Sequence, residues 1–468
     1  MITKTDFMAY LDAPMHLWAV KNNLIEEKAL DDFLKHLFEQ GYQVEEYADK
    51  YFKEILIPEY DTKDIFFQAK AVDGQFEARL DFLIKNKNTN KWDIYEVKSS
   101  TKVKKEHKYD VTFQAIVFEK KFEIGNVYLL HLNKDYKRKG PLKIEKLFKR
   151  AFLTDTVDKL REEVKSLREE ALATVMIKDA KQVKGCLKPK TCPSLKLCHP
   201  NLPEYSIFDI NRIGESKKRQ LLDLGIKSVY DVPDGFDLSV NQAYQVNIAK
   251  IDQKIVKKET IKNKLKKLKY PLFFIDYETF NQAIPAYDGY HPYDHLSFQW
   301  SLLVKKNKTS ELEHYQFIEE ETKDPTIDFL SILKPIIGDE GSIIVWNKTF
   351  EKSRNKEMAK VHSEFKDFCE NMNDRIFDLM EIFSKNLYVD PKFKGSYSIK
   401  KVLPVLVPEL SYLDMEIGEG ATAMIRWYEM IDAKTKKETK EKIKQDLLAY
   451  CKLDTMAMVK IYERLVNL

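Results

Sequence analysis

Residues 272–280 read Leu-Phe-Phe-Ile-Asp-Tyr-Glu-Thr-Phe, an unbroken apolar run closed by two acids one residue apart. Its length and aromatic content predict a buried core strand. Side chains alternate along a strand, so Asp276 and Glu278 share one face and Tyr277 takes the other. Two further strands are predicted at 296–304 (LSFQWSLLV) and 312–319 (LEHYQFIE), then helices and a strand at 342–347 (SIIVWN). A long helix over 437–466 closes the segment. Tyr450 and Asp454 lie on it four residues apart, hence on one face. Glu351 follows the SIIVWN strand. Four like charges have no packing reason to meet, since each repels the others and raises their pKa values. Divalent cations turn that repulsion into ligation, and two-metal phosphodiester hydrolysis needs several carboxylates and a positioned water. Tyr450 is placed to hold or help deprotonate that water. Asp378, in RIFDL, reads as a supporting acid.

Upstream, the first 70 residues read as helices. Leu24, Leu30, Phe33, Leu34 and Leu37 recur at helical spacing, and a second helix is predicted after Gly41. From Phe76 the period changes to that of strands. Residues 76–84 (FEARLDFLI) and 92–100 (WDIYEVKSS) predict a hairpin around the polar 85–91. Asp81 lies in its first strand. Glu96 and Lys98 share a face of the second, with Val97 turned into the core. A helix over 107–120 carries Gln114, a strand follows at 126–133, and a long helix at 154–179. Two carboxylates beside a lysine can hold a hard divalent cation, with the ammonium near a water or a scissile phosphate. The same triplet also reads as a solvated ion pair across a hairpin.

Between these regions, 183–205 is punctuated by Pro189, Pro193, Pro200 and Pro203 and carries Cys186, Cys192 and Cys198. Residues 207–250 predict a small helical unit, with Gly214 and Gly225 around LLDL and Lys217, Lys218 and Arg219 nearby. It resembles a helix-hairpin-helix, an element that offers backbone N–H groups to phosphates. A compact spacer is the competing reading. A lysine-rich helix is predicted over 251–269.

The chain has 468 residues, long enough for two to four domains. Its 78 basic and 74 acidic side chains leave a net charge of +4, too weak to announce a nucleic-acid binder by itself. Five cysteines, an odd count, argue against a disulfide framework. No apolar run approaches the ~18 residues of a membrane helix. No apolar core stands behind a basic start at the N-terminus, so a soluble cytoplasmic protein without membrane partners is expected.

Residues 1–200 resemble the RecB-type PD-(D/E)xK nucleases, including their CRISPR-associated branch. The resemblance rests on ITKTDFMAYLDAPMHLW (2–18), FEQGYQVEEYA (38–48), Asp81, Glu96-Val97-Lys98 and the helix bearing Gln114. It implies that Asp81 and Glu96 bind metal, that Lys98 orients or activates water, and that Gln114 supports the site. Glu45 matches a position where an upstream helix often supplies a histidine ligand. Phe118 stands where a tyrosine is common. Several such nucleases hold a [4Fe–4S] cluster with three cysteines after the core and a fourth near the N-terminus. Here Ala13 occupies that fourth position. The three remaining cysteines read as ligands of an Fe–S cluster, as a zinc site completed by His199, or as buried thiols packing a loop.

Residues 270–468 resemble the DEDD exonucleases of the RNase H-like (DnaQ) superfamily, subtype with tyrosine, with Glu351 replacing the usual aspartate. The whole order resembles a bacterial family fusing the two kinds of domain. The expected class is α/β multidomain. A PD-(D/E)xK restriction-endonuclease-like domain spans 1–182, a cysteine junction 183–205, a helix-hairpin-helix-like segment 206–250 and a basic linker helix 251–269. An RNase H-like domain spans 270–468. The resemblance implies a Mg²⁺- or Mn²⁺-dependent nuclease acting on DNA or RNA, with a 3′–5′ exonuclease-type site and a second, RecB-type site. The competing expectation is a nucleic-acid-binding scaffold with one or both sites degenerate.

Overall fold

The structure, a computed structural model, describes residues 1–25, 32–412 and 415–468. It is a mixed α/β protein of two units. The first comprises Met1–Leu202 with Gln282–Tyr293, the second Pro203–Asn281 with Asp294–Leu468. Residues 282–293, expected within the C-terminal domain, thus belong to the first unit. There Ala283 N donates to Gln40 Oε1 at 2.8 Å, and Arg138 Nη1 donates to the carbonyls of Pro285 and Ala286 at 2.9 and 2.6 Å.

Among its described residues the first unit holds a six-stranded sheet: β1 Ile2–Thr3, β2 Ile65–Asp73, β3 Phe76–Lys85, β4 Trp92–Lys98, β5 Ile124–Leu132 and β6 Phe148–Phe152. Gly74, at φ +58°, turns β2 into β3, where a side chain would be strained. Strand β4 pairs with β3 only from Phe82 to Lys85, and parallel β1 pairs with β3 at Phe76 and Glu77. β2 lines the other edge of β3 along its length, so β1 and β4 share the remaining edge with a gap between them. Among the described residues, five helices of eight residues or more accompany the sheet: α1 Lys4–Asp12, α2 Pro14–Lys21, α3 Asp32–Tyr51, α4 Lys105–Phe118 and α5 Thr154–Val175. α1, α4 and α5 bury Phe7, Phe113 and Val164 with Leu80, Leu83 and Ile94. α3 buries Val44 and Ala48 with Phe82, Ile84, Tyr95 and Val97. The interleaved strand residues put these helices on opposite faces.

Three expectations need correction here. α3 runs through Gly41 without a break, because its Val44, Ala48 and Tyr51 packing outweighs the ~1 kcal/mol cost of an internal glycine. β2 lies in the segment read as helical, and β6 in a stretch read as polar; β6 exposes Lys149 and Arg150 as edge strands do. Leu30 lies outside the described residues.

The second unit is built on β7 Leu272–Asn281, β8 His295–Lys305, β9 Leu312–Ile318, β10 Ser342–Val345 and β11 Ile376–Asp378, in the order β9-β8-β7-β10-β11. β7, β8 and β9 are antiparallel neighbours; β10 runs parallel to both β7 and β11. The second unit's described helices of eight residues or more are α6 Glu215–Asp223, α7 Val240–Ile251, α8 Lys258–Leu265, α9 Thr326–Ile337, α10 Lys348–Val361, α11 Lys366–Arg375, α12 Ile399–Leu406, α13 Gly420–Ile431 and α14 Lys437–Val466. The apolar run of β7 is buried on both faces. Leu272 and Phe274 pack with Ala457, Met458 and Ile461 of α14, while Phe273, Ile275 and Tyr277 pack with α9, α10 and α11.

The lysine-rich helix expected over 251–269 is shorter. Asp252, at φ +48°, ends α7, and Ile255–Val256 pairs with Tyr388–Val389 as a two-stranded ribbon before α8 begins. Two adjacent β-branched residues with a partner strand outcompete helix there. Ile207, Leu221, Val229 and Val246 form the small core of the helical segment. No described helix is long and apolar enough to cross a membrane.

Candidate active sites and a cysteine cluster

Asp276 and Glu278 continue the Leu272–Phe274 face of β7, so they look toward α14. A register shift against β8 directly after Glu278 lets the strand bend at this point. Polar contacts fix how α14 lies on the sheet. Gln299 Nε2 donates to the Leu447 carbonyl at 2.8 Å, Ser301 Oγ meets Thr455 Oγ1 at 2.9 Å, and Cys451 Sγ lies 3.7 Å from the Asp276 carbonyl. Tyr450 and Asp454 are thereby aimed at Asp276. Glu351 enters from the first turn of α10, beyond the carboxyl end of β10. Asp276, Glu278, Glu351, Asp454 and Tyr450 all line one cleft of about 230 Å³, closed at its sides by Trp346, Phe350 and Lys400.

Burial, then Asp454, Glu278 and Glu351, hold the Asp276 carboxyl well above the usual range. Burial and Asp454 push Glu278 up to about 8. Burial, with Asp378, takes Glu351 to about 8. Asp454 rises only to about 6: burial lifts it, but Tyr412 Oη donates to its Oδ1 at 2.5 Å. Glu351 Oε2 is buried without a hydrogen-bond partner. Burial and Asp454 also raise the Tyr450 phenol, which keeps its proton. Asp378 accepts from Lys348 N and Met380 N at 3.2 and 3.0 Å, and so steadies the helix start that carries Glu351.

Sequence reading missed Tyr412 and Lys400. The Lys400 ammonium stands over the rings of Tyr412 and Tyr450, at 5.7 and 5.6 Å from their centroids, and donates to the Gly418 carbonyl. Neither residue sits in a spaced motif, so nothing in the sequence singles them out. Cys451 was missed as well. Its sulfur and one carboxylate oxygen each of Asp276 and Glu278 lie within 4.8 Å of one another.

In the first unit, Asp81 reaches across the gap where β3 and β4 part. Its Oδ2 accepts from Val97 N at 2.8 Å and its Oδ1 from Gln68 Nε2 at 3.1 Å. Glu96 is 1% exposed; its Oε1 accepts from Lys4 at 2.7 Å and Lys98 at 2.8 Å, while its buried Oε2 has no partner. Lys98 also pairs with Asp110 Oδ2 at 2.7 Å, and Gln114 Nε2 donates to Asp110 Oδ1 at 2.8 Å. Asp81, Glu96, Lys98 and Gln114 are therefore brought together, with Lys4 and Asp110 added. Burial opposes the charge on Glu96, but Lys98 and Lys4 hold its carboxyl well below the usual range. Burial and Glu96 push Asp81 up to about 7. Burial resists the Lys98 charge too, yet Glu96 and Asp110 keep it firmly protonated.

Glu45 does not join them. It is exposed on α3, and α3 packs on the sheet face opposite α1 and α4, which supply Lys4, Asp110 and Gln114. Phe118 is fully buried and stacks on Phe122, so its position is apolar core.

Cys186, Cys192 and Cys198 converge at the end of the first unit, packed against Ala13. His199 Nε2 lies 3.4 Å from Cys186 Sγ. A hydrogen bond from Cys198 lowers the Cys186 thiol, against the effect of burial. The donor that joins all three sulfurs within 4.8 Å is His16, not His199.

A family model described as a domain of unknown function (DUF2779) matches residues 273–398. That span holds Asp276, Glu278 and Glu351 but stops before Tyr412, Tyr450 and Asp454. An uncharacterized protein of Ureaplasma parvum, UU173, is 28% identical over 54% of this chain and 38% of its own length. The Mycoplasma genitalium protein MG366, also uncharacterized, is 28% identical over 43% of this chain and 32% of its own. The match thus spans about a third of the length of these relatives. A solved structure described as the crystal structure of SSO0001 is 15% identical, with a TM-score of 0.25, over 41% of this chain and 85% of that one.

Proposed function

We propose that the protein is a metal-dependent nuclease whose second unit carries an exonuclease-type site. The observation that carries this reading is the gathering of Asp276, Glu278, Glu351 and Asp454 around one cleft, with burial raising all four carboxyls and repulsion from their neighbours adding to it at Asp276 and Glu278. The sheet order β9-β8-β7-β10-β11, with three antiparallel strands and then two parallel ones, supports an RNase H-like domain. The cleft also opens where ligands bind in many α/β sheets, beyond the carboxyl ends of parallel strands. A 3′–5′ direction follows from the resemblance to DEDD exonucleases alone.

The donor set fits hard divalent cations. It is carboxylate-rich, and Glu351 keeps a buried oxygen without a partner. Asp276, Glu278, Glu351 and Asp454 would hold Mg²⁺ or Mn²⁺, which when bound supplies Lewis-acid stabilisation of charge on the phosphate and lowers the pKa of water. The chain's own groups do the rest. Tyr450, kept protonated, donates a hydrogen bond that orients a water at the cleft edge. Tyr412 holds Asp454 in place. The Lys400 ammonium offers a charge to a phosphate oxygen, and Trp346 and Phe350 narrow the space left to bulk water.

The first unit supports a second hydrolytic site less directly. Lys4 and Lys98 both occupy Glu96 Oε1, and Lys98 is tied to Asp110 as well. That closed chain of ion pairs favours the scaffold reading for this unit, in which it contacts nucleic acid without cutting it. The deciding experiment is an assay on labelled single- and double-stranded DNA and RNA with Mg²⁺ or Mn²⁺. Asp276→Ala should remove exonuclease activity. Lys98→Ala should remove only what the first unit contributes. Full exonuclease activity in the double variant would refute both assignments.

A further inference from the structure

The cysteine cluster has a chemistry of its own. The Nε2 or Nδ1 of His16 and the sulfurs of Cys186, Cys192 and Cys198 all lie within 4.8 Å of one another, and three of the four residues are buried. His16 Nε2 stands 3.3 Å from Cys192 Sγ. One tetrahedral zinc ion, with bonds of ~2.3 Å to sulfur and ~2.0–2.1 Å to nitrogen, places its ligand atoms about 3.4–3.8 Å apart. An iron–sulfur cube binds each thiolate to a different iron, so its ligands must stand farther apart than donors sharing one ion. The [4Fe–4S] cluster implied by the resemblance therefore does not fit this set. Position 13, where that cluster's fourth thiolate would come from, is Ala13, whose methyl packs against Cys186 and Cys192.

We propose that His16, Cys186, Cys192 and Cys198 bind a single structural zinc ion. The histidine is prepared for the task. Its Nδ1 lies 2.8 Å from Asp12 Oδ2, which fixes the tautomer with Nε2 free to ligate and strengthens that nitrogen as a donor. The chain is also shaped around the sulfurs. A Cβ on Gly185 would fall 2.7 Å from the Cys198 carbonyl oxygen, so glycine is what lets residues 185 and 198 approach. Met15 N donates to the Lys184 carbonyl at 3.1 Å, setting α2 beside the cysteine segment. With zinc bound, one ion ties α2 to 186–198, a stretch whose regular structure is limited to single short turns. Three thiolates and one imidazole with no open position make a structural centre, not a catalytic one. This inference does not depend on the nuclease reading.

Metal analysis of the purified 468-residue chain, expressed with both zinc and iron supplied, tests it. The expected result is one zinc per chain, little iron and no acid-labile sulfide. Cobalt substitution should give the intense visible bands of a tetrahedral thiolate site. His16→Ala should lose the metal, His16→Cys should keep zinc at one per chain, and His199→Gln should keep it as well. If His16→Ala fails to fold, the His16→Cys and His199→Gln proteins still decide. Iron with sulfide in the native protein would overturn the proposal in favour of a cluster. Protein lacking metal altogether would overturn it in favour of packed thiols. Zinc lost in His199→Gln but retained in His16→Ala would move the fourth ligand to His199.

Discussion

Asp454 differs from its three acidic neighbours in the company it keeps, with the Tyr412 hydroxyl foremost, then the Lys400 ammonium and the Tyr450 hydroxyl. Tyr412 donates to it, and its carboxyl rises only to about 6, whereas Glu278 and Glu351 reach about 8. A hydrogen bond to a charged group contributes about 1.5–3 kcal/mol. Tyr412→Phe should therefore raise the Asp454 pKa, weaken Mg²⁺ binding and move the acid limb of the pH–rate profile upward. Titration of Asp454 by NMR and a metal-binding isotherm would show both effects; an unchanged profile would remove Tyr412 from the site. Tyr450→Phe should act differently. It deletes the proposed water contact as well as a second hydrogen bond to Asp454, so it should lower kcat in addition to weakening Mg²⁺ binding. Asp276→Ala, which removes the acid at the centre of the group, should lower activity by more than the ~10–100-fold usual for partners outside the metal shell.

At the scale of elements, position matters as much as identity. β10 can lie beside β7 only because Gly341 has no side chain. At φ +90° a Cβ there would meet the Pro271 carbonyl oxygen at 2.3 Å. Gly341→Ala should destabilise the second unit by at least the ~1–3 kcal/mol of a strained backbone conformation, measured by denaturant unfolding. It should also reduce activity without touching a cleft residue, because Glu351 is carried into the cleft by the helix that follows β10. Wild-type stability in that variant would mean that β10 shifts freely. The same logic explains what reading by period missed. β2 was masked by the helical pattern of the residues before it, and the two-residue ribbon at Ile255–Val256 depends on a partner more than 130 residues away. Local periodicity carries no information about such partners.

For the whole molecule, the raised carboxyls make stability depend on pH. The native state binds protons on Glu278, Glu351 and Asp454 that an unfolded chain would release near pH 4. Stability from these groups is therefore fully present below about pH 4 and is lost as pH rises through about 6 to 8. The metal-free second-unit transition should fall in temperature across that window. Saturating Mg²⁺, which binds the ionised form, should flatten or reverse the slope. Calorimetry with chelator and with Mg²⁺ would show the difference. A metal-free transition that strengthens from pH 6 to 8 would contradict the burial of these acids.

Much of the candidate chemistry was legible in order and alternation. The two-residue spacing of Asp276 and Glu278 on an apolar run, and the four-residue spacing of Tyr450 and Asp454, each place a pair on one face by backbone geometry alone. The hairpin that carries Asp81, Glu96 and Lys98 was equally plain, because a polar turn between two apolar strands is a local signal. Tertiary structure alone decided which of these faces meet, since that depends on packing across a sheet. It set Asp110 and Lys4 beside Glu96, sent Glu45 to solvent on the other side of its sheet, and brought Tyr412 to Asp454. It also chose His16 over His199 to complete the group of three sulfurs. His199 is next to Cys198 in the chain, but His16 is presented by a helix whose start packs against the thiols. Ligand atoms must converge on a point in space, and adjacency along the chain does not guarantee that.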